Sequence, residues 1–196
     1  MNIGPTETLI LNQIKSKGVL CFPLIDSQNQ SDYHSIATKL EKLGASGILI
    51  GGSSVTDQIE LSHTISQLKS IVSIPIILFP GNVTGVVSGA DAILFSCLLN
   101  SENSYYITGA QAQGALIIDK FNLEAIPTGY LIIGDGSTAW FIGQARSIPY
   151  EKSGIAVMYA LAAKYMGMRF LYLEAGSGAS QHVHPEMIAA VRKHFD

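Results

Sequence analysis

Charge is what this 196-residue chain has least of. Asp, Glu, Lys and Arg make up 14% of it, where an average soluble domain carries roughly 25%. Apolar residues, at 47%, are not in excess, so the shortage is of charge alone. Such a surface is expected where subunit contacts cover much of it, where the ligand is greasy, or both. The formal net charge of −3 offers no basic stripe, which argues against nucleic acid as a partner. Cysteine is scarce as well. Cys21 and Cys97 each fall inside an expected strand, and they read as small buried hydrophobes of a reducing compartment rather than as a disulfide. No apolar run reaches the ~20 residues of a membrane span, Gly154 to Ala163 being the longest, and no signal-peptide pattern opens the chain. A cytoplasmic protein without a transmembrane segment is expected. Two nucleotide-binding fingerprints are also missing. There is no Gly-x-x-x-x-Gly-Lys-Ser/Thr, and no Gly-x-Gly-x-x-Gly opens a helix, which argues against a P-loop hydrolase and a dinucleotide fold.

What is present alternates between β-type and helical patterns. Helices are expected over 5–16, 31–43, from 56 or 57 to 71, 105–121, 153–166 and 184–195. Between them lie six apolar runs, Val19–Ile25, Gly47–Ile50, Pro75–Phe79, Ala92–Ser96, Pro127–Ile133 and Phe170–Glu174. Runs of Ile, Val and Leu without alternation are the mark of strands buried on both faces, hence of a parallel sheet. Repeated βα units of this length predict an α/β fold, either a (β/α) barrel or a doubly wound sheet. Between the third and fourth runs only about ten residues, Gly81 to Ala90, are available. A parallel crossover usually takes a dozen or more and a helix. An extended segment is expected there instead, leaving a gap through which a long apolar ligand could enter. Six units fall short of the eight strands of a closed barrel, so 1–196 is read as a single barrel domain that stops before its last two units.

The polar ends of these runs carry the chemistry. The last run closes on a carboxylate and opens into a glycine-rich turn, Tyr172-Leu173-Glu174-Ala175-Gly176-Ser177-Gly178, with free backbone N–H groups suited to a phosphate. A carboxylate at the end of a buried strand is costly unless it is paired or used, which makes Glu174 the leading candidate for function. Asp26, just past the first run, could ligate a divalent cation, although Asp also opens loops by bonding its own backbone. Gly51-Gly52-Ser53-Ser54 could cradle phosphate or be a plain turn. His182-x-His184 reads as a helix-entry loop, since no third ligand stands near enough for zinc. Tyr105, Tyr106, Trp140, Phe141 and Tyr159 could line a lipid groove, and singly each is more often core.

Taken in order, Pro23-Leu24-Ile25-Asp26, Gly51-Gly52-Ser53, Phe79-Pro80-Gly81-Asn82, Asn100-Ser101 with Tyr105-Tyr106, and above all Tyr172 to Gly178 resemble the geranylgeranylglyceryl phosphate synthase family, with its bacterial heptaprenyl-transferring relatives. The resemblance spans nearly the whole chain. It implies a modified TIM (β/α)8 barrel in which the helix after the third strand is replaced by an extended segment. It also implies an Mg²⁺-dependent prenyltransferase that joins a polyprenyl diphosphate, geranylgeranyl in the first instance, to the free hydroxyl of sn-glycerol 1-phosphate. On the matching positions, Asp26 and Ser53 would hold Mg²⁺. Tyr172, Leu173, Glu174, Ala175, Gly176, Ser177 and Gly178 would bind glycerol phosphate, with Glu174 and Tyr172 catalytic. The Asp-Asp-x-x-Asp pairs of the all-helical prenyl synthases are absent. Relatives complete the phosphate grip with turns after a seventh and eighth strand, and they assemble as oligomers, so a homo-oligomer is expected.

Three readings stay open at this level: the prenyltransferase, with heptaprenyl as an alternative donor; an inactive barrel fragment that pairs with another chain; and another phosphate-binding barrel, such as an isomerase or aldolase of phosphorylated sugars.

Overall fold

The computed structural model describes residues 3–26, 32–52, 57–177 and 179–195. Its strands are β1 (Leu24–Asp26), β2 (Ile48–Gly52), β3 (Ile76–Pro80), β4 (Ala92–Leu98), β5 (Glu124–Ile132) and β6 (Phe170–Glu174). They form one sheet in chain order. Pairing is parallel from β1 to β4, and again between β5 and β6. The helices are α1 (Pro5–Lys17), α2 (Tyr33–Lys42), α3 (Gln58–Ile71), α4 (Ala110–Lys120), α5 (Thr138–Gly143), α6 (Ser153–Tyr165) and α7 (Pro185–Arg192). The chain divides into two compact units, residues 1–94 with 113–126, and residues 95–112 with 127–196.

In the first unit the expected uninterrupted burial is found. Ile48, Leu49 and Ile50 of β2 and Ile76, Ile77 and Leu78 of β3 are all buried, so both faces of these strands are covered. Leu61, Ile65 and Leu68 of α3 supply one cover. Asp57 starts that helix by accepting from the backbone N–H groups of Ile59 and Glu60. Asp32 does the same for α2 through Ser35. In this way two orphan helix termini are satisfied by the residue type that suits them. Between β3 and β4 no α-helix stands. A single 3₁₀ turn, Val83–Gly85, is held by Asn82, whose side chain accepts from the Thr84 N–H at 2.8 Å.

Two expectations fail at β1. The strand begins at Leu24 and not at Val19, whose side chain is 81% exposed. Proline 23 has no N–H to give a ladder, so the stretch before it makes only isolated bonds, from Ser46 N to the Cys21 carbonyl and from Leu49 N to the Pro23 carbonyl. Cys21 is accordingly exposed rather than buried, whereas Cys97 on β4 is buried as expected.

The first unit carries an unusual helix cap. Gly4 precedes α1 and brings no side chain to its terminus. Glu124, at the start of β5, fills the role: its two carboxylate oxygens accept from the N–H groups of Thr6 at 2.7 Å and Glu7 at 2.9 Å. A side chain on Gly4 would collide with that carboxylate. Replacing Glu124 by Ala should strip both donors of their partner and cost about 1–3 kcal/mol. Urea unfolding followed by circular dichroism checks this, with Glu124→Gln, which keeps one acceptor oxygen, expected between the variant and the parent.

Candidate active site

The second unit contains a constellation that only register explains. Beta-strand side chains alternate, so Tyr172 and Glu174 share one face of β6. In the parallel ladder Tyr172 lies beside Tyr130 of β5, and Glu174 beside Ile132. The Tyr130 and Tyr172 rings meet edge to face, with centroids 5.6 Å apart at 71°. Both hydroxyls donate to the Glu174 carboxylate, which also accepts the backbone N–H of Gly176.

The electrostatics of this trio follow from its burial. Withdrawal from water raises the Glu174 pKa above the ordinary carboxylate range, and it outweighs the three donors, from Gly176, Tyr172 and Tyr130, that pull the other way. Tyr172 is pushed up to about 12, first by burial and then by the neighbouring Glu174 charge. Tyr130 is raised further for the same two reasons in the same order. Both phenols therefore keep their protons at any physiological pH and remain donors. Glu174 is left as the one member of the trio whose proton can come and go.

Glycine backbone shapes the space in front of it. Gly176 adopts φ +98 and lies against Ser137, so that a methyl group there would overlap the serine side chain. Ser137 is buried, and its hydroxyl accepts from the Trp140 N–H at 3.1 Å, starting α5. The loop Gly134-Asp135-Gly136-Ser137 at the end of β5 thus packs against the loop at the end of β6. A cavity of about 550 Å³ opens here, lined by Tyr172 through Gly176 and Ala179 through Val183.

The expected phosphate-binding stretch therefore lines a cavity from Tyr172 to Gly176, with Ser177 exposed beside it. Gly178 and Ser53 lie outside the described residues. Asp26 is half-buried at the last position of β1, opposite Gly51 of β2. Gly51 is pressed so closely on the Phe79 carbonyl that no side chain fits. Asp26 belongs to the first unit and Glu174 to the second. Asn100 and Ser101 prove to be structural. Asn100 is 2% exposed; its side chain donates to the carbonyls of Ile132 and Arg146 and accepts from Ile132 N, extending the sheet as a strand would. Ser101 donates to the Gly143 carbonyl at 2.6 Å. His184 starts α7, with its ring stacked on Tyr150. Sequence reasoning missed Tyr130. Aligning the expected fifth and sixth strands in parallel register would have placed it beside Tyr172.

The model of the PcrB family matches residues 17–196. The chain belongs to the PcrB family. Within it, this PcrB-family chain is 58% identical over 192 residues to the geranylgeranylglyceryl phosphate synthase of Nitrosopumilus maritimus, covering 97% of this chain and 77% of that protein. Its structure resembles the crystal structure of (S)-3-O-geranylgeranylglyceryl phosphate synthase from Thermoplasma acidophilum in complex with substrate sn-glycerol-1-phosphate. The TM-score is 0.92 at 32% identity, over 100% of this chain and 79% of that one. Tryptophan synthase subunit alpha from Legionella pneumophila matches at TM-score 0.55 and 13% identity, a likeness of fold alone. The (β/α) barrel class expected from the repeated units holds, and so does the resemblance drawn from the motifs.

Because its folded pKa is raised, Glu174 contributes stability that is fully present below its unfolded pKa and is lost as pH rises through the folded value. Glu174→Gln removes that loss. The variant should therefore gain stability relative to the parent as pH is raised from about 4 to 8, the span that covers the ordinary carboxylate range, in urea unfolding at matched ionic strength. A relative loss over the same span would mean that the ionised carboxylate is held favourably.

Proposed function

We propose that this protein transfers a polyprenyl group, geranylgeranyl in the first instance, from its diphosphate to the free hydroxyl of sn-glycerol 1-phosphate, the first ether bond of an archaeal-type membrane lipid. One observation carries the proposal: a carboxylate with a raised pKa, steered by two protonated tyrosines, at the edge of a cavity that Tyr172 to Gly176 line. The similarity to enzymes named for this product supports the choice of acceptor and donor.

Glycerol phosphate would seat its phosphate at the cavity edge, beside the turn of Gly176 and Ser177 that follows β6. Its free hydroxyl would then lie at Glu174. Tyr130 and Tyr172 occupy lone pairs of the carboxylate and fix its orientation, leaving another to accept the hydroxyl proton. As the glycerol oxygen bonds to the allylic carbon, the bond from that carbon to the diphosphate oxygen breaks, and the proton passes to Glu174. A base displaced upward from the ordinary carboxylate range binds that proton more strongly.

Asp26 is the described residue that fits Mg²⁺. It is a hard oxygen donor at a strand end, and such sites commonly use one or two carboxylates together with substrate phosphates. Ser53 would be its companion by the motif match. When bound, the ion supplies charge neutralisation for the departing diphosphate.

The direct test incubates the full-length protein with radiolabelled glycerol 1-phosphate and prenyl diphosphates of several lengths. A lipid-extractable product with at least one donor is expected, and its absence with all of them rejects the reading. Glu174→Gln should lower kcat by a factor of about 10² or more, and the parent's rate should climb with pH through the Glu174 titration. Asp26→Ala should abolish the response to added Mg²⁺ while the circular dichroism spectrum stays unchanged.

A cytoplasmic location and self-association belong to the same reading. No helix among the described residues is long and apolar enough to cross a membrane. Helix α6 exposes Met158 at 69% and Tyr165 at 80%, an apolar outer side that a second copy would cover. Light scattering should give a mass of at least twice the chain's 21.0 kDa, and Met158→Glu should lower it.

A further inference from the structure

The start of the helix after β4 is wound as a π-helix. Tyr105–Gly109 makes the wider i→i+5 bond, Ala110 N–H to the Tyr105 carbonyl, before α4 continues from Ala110. Such turns are rare, and in proteins they gather at functional sites. Something must hold this one, and Gln111 is the residue in place to do so. Its carboxamide nitrogen donates to the Ser96 carbonyl of β4 at 2.5 Å and to the Tyr106 carbonyl inside the turn at 3.2 Å. The carboxamide oxygen of the same side chain is buried and has no hydrogen-bond partner among the described residues.

The turn carries Tyr106, which packs against the buried cluster of Leu98, Ile132 and Ala145. Tyr130 packs against the same cluster, and Tyr130 donates to Glu174. Ile132 stands opposite Glu174 in the ladder. A continuous set of contacts in one unit thus runs from Gln111 to the carboxylate.

We infer that Gln111 is a positioning residue for the Glu174 acceptor: by pinning the π-turn to β4 it keeps Tyr106 seated on the packed group that carries Tyr130. Gln111 touches no reacting atom in this scheme. Releasing the turn lets Tyr106 leave the group, gives Tyr130 freedom and admits water to Glu174. The groups facing that carboxylate are Tyr130, Tyr172 and the Gly176 N–H, and His182 lines the same cavity. The role rests on the reading of Glu174 as proton acceptor, while the physical linkage can be measured without it.

The experiment uses the full chain labelled with ¹³C at its glutamate carboxylates, with the Glu174 signal assigned by its loss in Glu174→Gln. Gln111→Met keeps the length of the side chain and removes the donors. Its Glu174 titration should move down toward the ordinary carboxylate range, and kcat should fall by about 3- to 30-fold with KM for glycerol phosphate unchanged. Tyr106→Ala, which leaves the carboxamide bonds in place, should move the titration the same way. If Gln111→Met does not fold, Tyr106→Ala decides alone. A Glu174 titration identical to the parent's in the folded variants overturns the inference. Absence of transferase activity in the parent would instead defeat the proposed function, with the titration arm still deciding the linkage.

Discussion

The whole second unit is arranged around one electrostatic compromise, a carboxylate drawn partly out of water and met by hydroxyls instead of by a cation. The ion pair of Lys69 with Asp91 lies in the other unit. An Arg or Lys beside Glu174 would lower its pKa and make it a poor base. Tyrosines hold the group in place without supplying full charge. Because their own pKa values rise with the same burial, they cannot compete for the role of acceptor. Desolvation therefore sets the basicity, while the hydrogen bonds set the direction.

That compromise is costly, and the surrounding backbone is built to hold it. Asn100 replaces a missing stretch of strand beside Ile132, which fixes the residue opposite Glu174. The N–H of Ile133 donates to the Glu174 carbonyl at 2.8 Å, so the residue just past β5 holds the end of β6 at Glu174. Gly176 then turns the chain in a conformation that other residues adopt only with strain, bringing the loop against Ser137. Functional groups placed on strand ends and locked by neighbouring backbone are more exact than groups carried on free loops.

Much of this was legible in the residues. Six parallel strands followed from unbroken apolar runs, and β6 has the predicted bounds. That Tyr172 to Gly176 line a cavity agrees with the carboxylate that ends such a run. Other parts were hidden for physical reasons. Tyr130 sits in a stretch, Thr128-Gly129-Tyr130, with no motif of its own, and its role comes from pairing, a long-range property. Helix α5 has six residues, too few to show a period, and it is set by the Ser137 cap. The π-turn inserts a residue into what reads as one helix over 105–121. At β1 a single missing N–H, that of Pro23, outweighed an apolar pattern and left Cys21 in solvent.

The surroundings of Glu174 also set it apart from the carboxylates that serve structure. In a chain with 15 acidic residues, Asp32, Asp57, Asp91, Glu41 and Glu124 each accept from backbone N–H groups that secondary structure leaves over. Glu41 shows what such use does: the hydroxyl and N–H of Ser73 hold its pKa below the ordinary value. Glu174 also receives a backbone N–H, yet its pKa moves the opposite way, because burial prevails. An acid kept for capping gains from ionising. One whose surroundings resist ionisation, at a cavity edge and with its orientation fixed by neutral donors, is placed to take up a proton, as the proposed transfer requires of Glu174.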